Sequence, residues 1–384
     1  METTDLLNII ARGEDGKHQF KANIRNAQSL SGELVAFSNS GGGFIFIGVS
    51  DDGTISGLST DDIRRLNLLV ADVSTNNIRP PINLISENVA TPQGLVMIIT
   101  VLDGISKPYM DNDGAIWVKS GANKRKVTAR EEIQRMFQIA GLIHGDEIPA
   151  NGLTITDMDI DYFKDFFEKR KGESVDEQNI SLPQLLENMN LMKGGTLNVS
   201  GALLFANNPS FRLPIFIVKA IAYPGRVIDD TNYIDSKDIT GKLADIFQQS
   251  MSFVLRNIQH EQEQQGVNAP GVPEIPRIVF EELIANALIH RDYFVSAPVR
   301  IFIFADRIEI ISPGCLPNNL TVENIKLGNS NIRNPILASF ATHVLPYRGL
   351  GSGIIRALKA YPDIEFENDT DGNKFKAVIN RHVA

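Results

Sequence analysis

Residues 279–293 read VFEELIANALIHRDY, and no other stretch constrains the fold as tightly. Phe280, Leu283, Ile284, Ala287 and Leu288 recur at helical spacing, the stripe of a helix pressed against a core. Glu282, Asn286 and His290 stand four residues apart on the same helix. At about 100° per residue they span only about 80°, mostly turned away from the stripe. A carboxylate, an amide and an imidazole therefore share one face. Taken alone, three such residues read most simply as a solvated helix surface.

The segments that follow change that reading. Residues 299–304 and 307–312 have the pattern of a β-hairpin turning at Ala305-Asp306 and closing in Ser312-Pro313-Gly314. Further on, YRGLGSGI (347–354) runs into a helical pattern, with Gly349, Gly351 and Gly353 at alternate positions. Backbone N–H groups converging before a helix suit an anion such as a phosphate. A glycine-rich turn alone is equally a plain turn; the ordered combination is far more specific.

That combination resembles the gyrase–chaperone–histidine-kinase–mismatch-repair (GHKL) ATPase superfamily. ELIAN (282–286) matches its ExxxN box. NALIHRDY, ISPGCLP, RNPILA (333–338) and YRGLGSGI are similar to a divergent branch often labelled helicase-related. No GxxxxGK[ST] motif is present, so the label is not supported by a P-loop motor. The resemblance implies bound ATP with Mg²⁺, the ion held against the phosphates through Asn286. It implies that Glu282 positions or deprotonates the attacking water. Gly349, Gly351, Ser352 and Gly353 would wrap the triphosphate, with Arg348 or Arg333 neutralising charge and His290, Ser312 and Gly314 completing the pocket. The first glycine box of that superfamily opens with Asp, which reads the adenine amino group. Here Ser312 stands in that place and Leu316 replaces the box's second glycine. A neutral hydroxyl accepts a weaker hydrogen bond than a carboxylate. Slow hydrolysis, binding without hydrolysis and a pocket without nucleotide all stay open.

The N-terminal stretch carries a second constellation. EDGKHQFKANI (14–24), then LSGELVAFSNSGGGFIFIGVSDDGTISG (30–57), then KPY (107–109) and IWVKSGANKRKVT (116–128) resemble the Schlafen/AlbA-type domain. Some domains of that type cleave RNA with three acidic residues. Glu14 matches the first and Asp51 or Asp52 the third, but the second position is Gln19. A hard cation needs oxygen ligands, and a neutral amide is a poorer one than a carboxylate. Nucleic-acid binding is therefore expected ahead of cleavage. The local footprint is basic: Lys119, Lys124, Arg125 and Lys126, where cations would meet phosphates without reading sequence. The plain alternatives are a solvated charged face, and an Asp-Gly turn at Asp52-Gly53.

Composition adds limits. The net charge of −9 and pI near 5.3 argue against a general nucleic-acid coat, though they average over the basic tract at 119–135. One cysteine, Cys315, excludes an intrachain disulfide framework and points to a reducing cytoplasm. No apolar run is long enough to span a membrane, so no membrane partner is expected. The acidic N-terminus, METTDLLNIIARGEDG, lacks the basic region of a signal peptide. At about 150 residues per domain, 384 residues predict two or three domains.

The expected fold is mixed α/β (α+β): an AlbA-like nucleic-acid-binding module over 1–143, a middle connector over 153–265, and a GHKL-like α/β sandwich binding ATP over 271–384. Helices are expected at 30–39, 128–140, 160–171, 182–192 and 239–259, strands at 44–49, 95–102, 115–119, 197–205 and 215–223, and a polar linker at 261–276. Such ATPase domains often pair subunits on ATP, so the resemblance implies a homo-oligomer. The functions it supports are an ATP-dependent regulator of nucleic-acid binding, such as a transcriptional regulator; a metal-dependent nuclease acting in defence; or a scaffold with both sites degenerate.

Overall fold

The apolar run of residues 44–47 alternates between two cores. In the computed structural model, Ile45 and Ile47 pack with Leu30, Leu34, Phe37 and Ile99, whereas Phe46 packs with Leu6, Phe20 and Ile98. A strand buried on both faces must be near-continuously apolar, as this one is. The described residues are 1–228, 231–261, 271–317 and 320–382. They form two units, 1–142 and 143–384.

In the first unit, strands His18–Lys21, Gly43–Ile47, Gly94–Val101 and Leu84–Thr91 lie side by side in that order. The first pair is parallel and the others antiparallel. The turn into Gly43–Ile47 depends on Gly42, whose φ is +72°. A Cβ there would stand 2.6 Å from the Val101 carbonyl oxygen. The Ala27–Asn39 helix starts on Asn26, whose side chain accepts from the N–H groups of Gln28 and Ser29. A hairpin, Trp117–Ser120 with Asn123–Lys126, carries Lys119, Lys124, Arg125 and Lys126.

In the second unit, six strands follow the order Asp235–Ile239, Val218–Ala222, Val299–Ile303, Arg307–Pro313, Lys374–Asn380 and Ile364–Asp369. Only Val218–Ala222 and Val299–Ile303 run parallel. Ile301, Ile303, Ile308, Ile310, Ala377 and Ile379 point into one large core with Phe280, Leu283 and Ala287. Alternate residues Phe302, Phe304 and Ile311 gather with Tyr223 in a separate cluster. The stretch 153–265 thus supplies two strands to the same sheet as the hairpin at 299–313. Its boundary at 265 lies outside the described residues, as do 262–270 of the 261–276 stretch. On either side of that gap, His260–Glu261 pairs with Val272–Pro273.

Three expected elements take other forms. Residues 182–192, expected as one helix, are helical only over Leu182–Asn188, and Met192 pairs with Leu197 in a short two-stranded ladder. Residues 197–205, expected as a strand, are the helix Val199–Phe205, started by the Asn198 side chain accepting from the Gly201 N–H. Every residue of that helix is buried, so the sequence shows no 3.6-residue period to separate it from a buried strand. Residues 239–259, expected as one helix, begin with Ile239 as the end of a strand paired to Val218. Gly241, at φ +123°, breaks the chain before the helix Leu243–Asn257. The Arg277–Ile289 helix also differs from the simplest expectation: Glu282 is only 3% exposed, so its polar face is no solvated surface.

Candidate functional site

The Arg277–Ile289 helix, here the site helix, presses its apolar stripe into the core and opens its polar face into a pocket. Its C-terminal carbonyls are held by Asn334, whose Nδ2 donates to Ile289 O at 2.7 Å and Arg291 O at 2.8 Å. The Ile289 carbonyl is one the helix end leaves without an internal partner, and Arg291 follows just past that end. Arg291 itself is buried, donating to Ala297 O at 2.7 Å and lying 4.6 Å over the Phe216 ring. The end of the helix is therefore fixed, and with it the position of His290.

Opposite stands the loop helix, Gly353–Ala360, preceded by the glycine loop. Gly349 and Gly351 have φ of +67° and +70°, backbone that a side chain strains. At Gly351 a Cβ would collide with the Gly328 carbonyl oxygen. At Gly353 it would stand 2.5 Å from Glu282 Oε2 and 3.2 Å from Asn286 Nδ2. The loop helix begins directly on the two polar residues of the site helix, and only glycine permits that approach.

The pocket wall collects most of the residues singled out in the sequence. Glu282, Asn286, His290, Ser312, Gly314, Arg348, Gly349, Gly351, Ser352 and Gly353 all line it. Arg333 does not. It lies behind Gly314, where its Nη2 donates to Cys315 O at 2.6 Å and its Nη1 is 4.0 Å from Asp292. Its charge is spent on shaping the 313–315 turn. Arg348 is exposed at the mouth.

Tyr347 and Arg356 also line the pocket, and the sequence reading gave neither a role. Tyr347 meets the Nε2 of His290 through its hydroxyl, 3.1 Å away. Leu316 lines the wall in place of the missing glycine. Arg356 forms an ion pair with Glu282, Nη2 to Oε1 at 2.5 Å. Its only sequence signal is a cation one turn past Gly353, which reads as an ordinary surface residue.

Burial sets the protonation of this wall. It raises the Glu282 carboxyl above its usual range, against the pull of Arg356. It lowers the His290 imidazole to about 4, helped by the nearby Arg333 charge. His290 is thus neutral at physiological pH, a donor at one ring nitrogen and an acceptor at the other. The Ser312 hydroxyl donates to Ala287 O at 2.9 Å, so toward the pocket it offers only lone pairs.

In the first unit, Glu14 accepts from Gln19 Nε2 and from the Phe20 N–H, both at 2.6 Å. Gln19 in turn accepts from Lys119 Nζ at 2.7 Å. Asp51 lies 3.7 Å from Lys21 Nζ, and Asp52 accepts from the Thr54 N–H within its turn. Among the described residues, no group of three His, Cys, Asp or Glu side chains is placed to hold a metal ion. The basic residues Lys119, Lys124, Arg125 and Lys126 lie on the two strands of the hairpin. Lys124 pairs with Glu33 at 3.1 Å, and Arg125 grips Glu132 at 2.6 and 3.0 Å. Lys126 is exposed and has no ion pair among the described residues. No helix of the described residues is long and apolar enough to cross a membrane.

Two family models match. The model described as "Schlafen, AlbA_2" covers residues 14–128, and "Putative ATP-dependent DNA helicase recG C-terminal" (HATPase_c_4) covers 296–379. No curated protein matches. Among solved structures, the DIP2311 protein from Corynebacterium diphtheriae is similar at 20% identity, covering 98% of this chain and 80% of that one, with a TM-score of 0.48. The N-terminal domain of putative ATP-dependent DNA helicase RecG-related protein from Nitrosomonas europaea is similar at 15% identity, covering 34% of this chain and 96% of that one, with a TM-score of 0.24. The chain carries an N-terminal Schlafen AlbA_2 domain and a C-terminal HATPase_c_4 domain of the recG C-terminal kind.

Proposed function

We propose that the second unit binds ATP with Mg²⁺, and that its nucleotide state sets nucleic-acid binding by the first unit in a homo-oligomeric, cytoplasmic regulator. One observation carries the nucleotide reading. Gly353 seats the glycine loop on Glu282 and Asn286, joining two sequence motifs around one pocket. Loop amides and the exposed Arg348 suit phosphates. The donor set also fits the ion: Mg²⁺ takes one or two protein oxygens and fills its remaining positions with phosphates and water. Asn286 would supply one such oxygen. The ion's contribution is to neutralise phosphate charge. Glu282, held above its usual carboxylate range by burial, suits the orientation or deprotonation of a water.

In the first unit the hydrogen bonds favour binding over cleavage. The Gln19 amide occupies Glu14 Oε1, where a catalytic metal would need a free carboxylate oxygen. The experiment for the nucleotide reading is thermal melting with Mg²⁺ and millimolar ATP. The expected result is a rise in melting temperature that Asn286→Ala abolishes. No shift in the unmodified chain counts against this reading.

A further inference from the structure

We propose that Arg356 is the residue by which this pocket distinguishes a nucleoside triphosphate from a diphosphate, its guanidinium passing from Glu282 to the terminal phosphate. The proposal rests on the nucleotide reading of the pocket and adds a residue and a selectivity to it.

Arg356 lies in the first turn of the loop helix, immediately after the glycines that would hold phosphates. Its Nη2 is 2.5 Å from Glu282 Oε1. Glu282 is the carboxylate suited to a water attacking the terminal phosphate, so that phosphate must lie beside it. A guanidinium already touching Glu282 is within reach of the same place. The terminal phosphate and a buried Glu282 carboxylate are both anions, and they repel unless a cation stands between them. Arg356 is the cation in contact with Glu282.

The guanidinium also has capacity to spare. It carries five N–H donors. Its Nε is buried with no hydrogen-bond partner among the described residues. A phosphate offers more charge and more acceptor oxygens than Glu282 provides, in a geometry matching the planar fork. Transfer of Arg356 to the phosphate would release Glu282 from its partner when a triphosphate is present. A diphosphate, ending one phosphate short, would leave the pair closed.

The test is calorimetric titration of the full chain with a non-hydrolysable ATP analogue and with ADP, each with Mg²⁺. For Arg356→Gln, affinity for the analogue should fall about tenfold, the usual size for a lost charge-assisted contact, while ADP affinity stays within about twofold. Arg356→Lys should keep part of the preference, since it retains the charge but not the fork. An unchanged analogue-to-ADP ratio in Arg356→Gln overturns the proposal and leaves the nucleotide reading standing. Failure of the unmodified chain to bind either ligand overturns both. Should Arg356→Gln not fold, Glu282→Gln decides the matter. Freed of its competing carboxylate, Arg356 should then bind the analogue several-fold more tightly with ADP unchanged, and no gain overturns the proposal.

Discussion

The hydroxyl of Ser312 donates to the carbonyl oxygen of Ala287 across 2.9 Å, tying the central sheet to the site helix. The contact fixes the hydroxyl's direction. With its proton committed to the helix, Ser312 turns an acceptor toward the pocket, the polarity an adenine amino group requires.

Ser312→Ala should therefore cost about 1 kcal/mol of stability, the net worth of one buried hydrogen bond. It should also lower the preference for ATP over GTP about fivefold. Paired titrations with the two nucleotides read the preference, and urea denaturation reads the stability. An unchanged preference would remove Ser312 from base recognition.

Glu282→Gln should slow ATP hydrolysis at least about 100-fold without weakening ATP binding. The amide keeps the shape of the side chain but not the base. Phosphate release under single turnover checks the first outcome, and titration the second. Equal loss of binding would make Glu282 a packing residue only.

His290 should make stability fall on acidification. The unfolded imidazole takes a proton near 6.5, whereas the folded one refuses it until about 4. Between those values the unfolded chain binds more protons, so stability rises with pH and is lost as pH falls. The loss from pH 7 to 5 should be about 2 kcal/mol. Glu282 and Asp146, raised by burial, act in the opposite direction, so the informative quantity is a difference. His290→Gln should lose about 2 kcal/mol less than the unmodified chain across that range. Denaturant midpoints at the two pH values provide the check.

On the hairpin, Lys126→Ala should weaken binding to a short duplex or single strand and reduce the salt slope by about 0.9. Arg125→Ala should do less, because Arg125 is already gripped by Glu132. Fluorescence anisotropy across a salt series separates them. Equal effects would mean that the Arg125 pair opens on binding.

Gly42→Ala should destabilise the first unit by at least about 2 kcal/mol. The added Cβ meets both a left-handed backbone, at φ +72°, and the Val101 carbonyl oxygen 2.6 Å away. A melting temperature within a degree of the unmodified chain would contradict this.

How far these features were legible depends on their range along the chain. Glu282 and Asn286 share one helix, so their spacing alone puts them on one face. Gly349, Gly351 and Gly353 announce a turn by their own backbone freedom. Arg333 was legible as a cation, but its place behind Gly314 depends on Asp292 and the Cys315 carbonyl, both distant in sequence. The basic tract was legible as charge, yet Lys124 finds Glu33 far upstream, and no local pattern shows that pairing. Arg356 looks like any helix cation until the site helix is laid against it. The helix Val199–Phe205 lacked a polar face altogether, so burial removed the period that would have marked it.

The strand Val299–Ile303 draws its parallel neighbour, Val218–Ala222, from far upstream in the chain. A fragment trimmed to the matched stretch 296–379 would lose that neighbour and the site helix with Glu282 and Asn286. It would present a bare five-residue edge of N–H and C=O groups beside uncovered apolar side chains. Such an edge recruits other chains and precipitates. Expression work should therefore cut at Leu142–Ile143, where the two units part. The piece worth purifying runs from 143 onward, nearly three times longer than the recognisable motif.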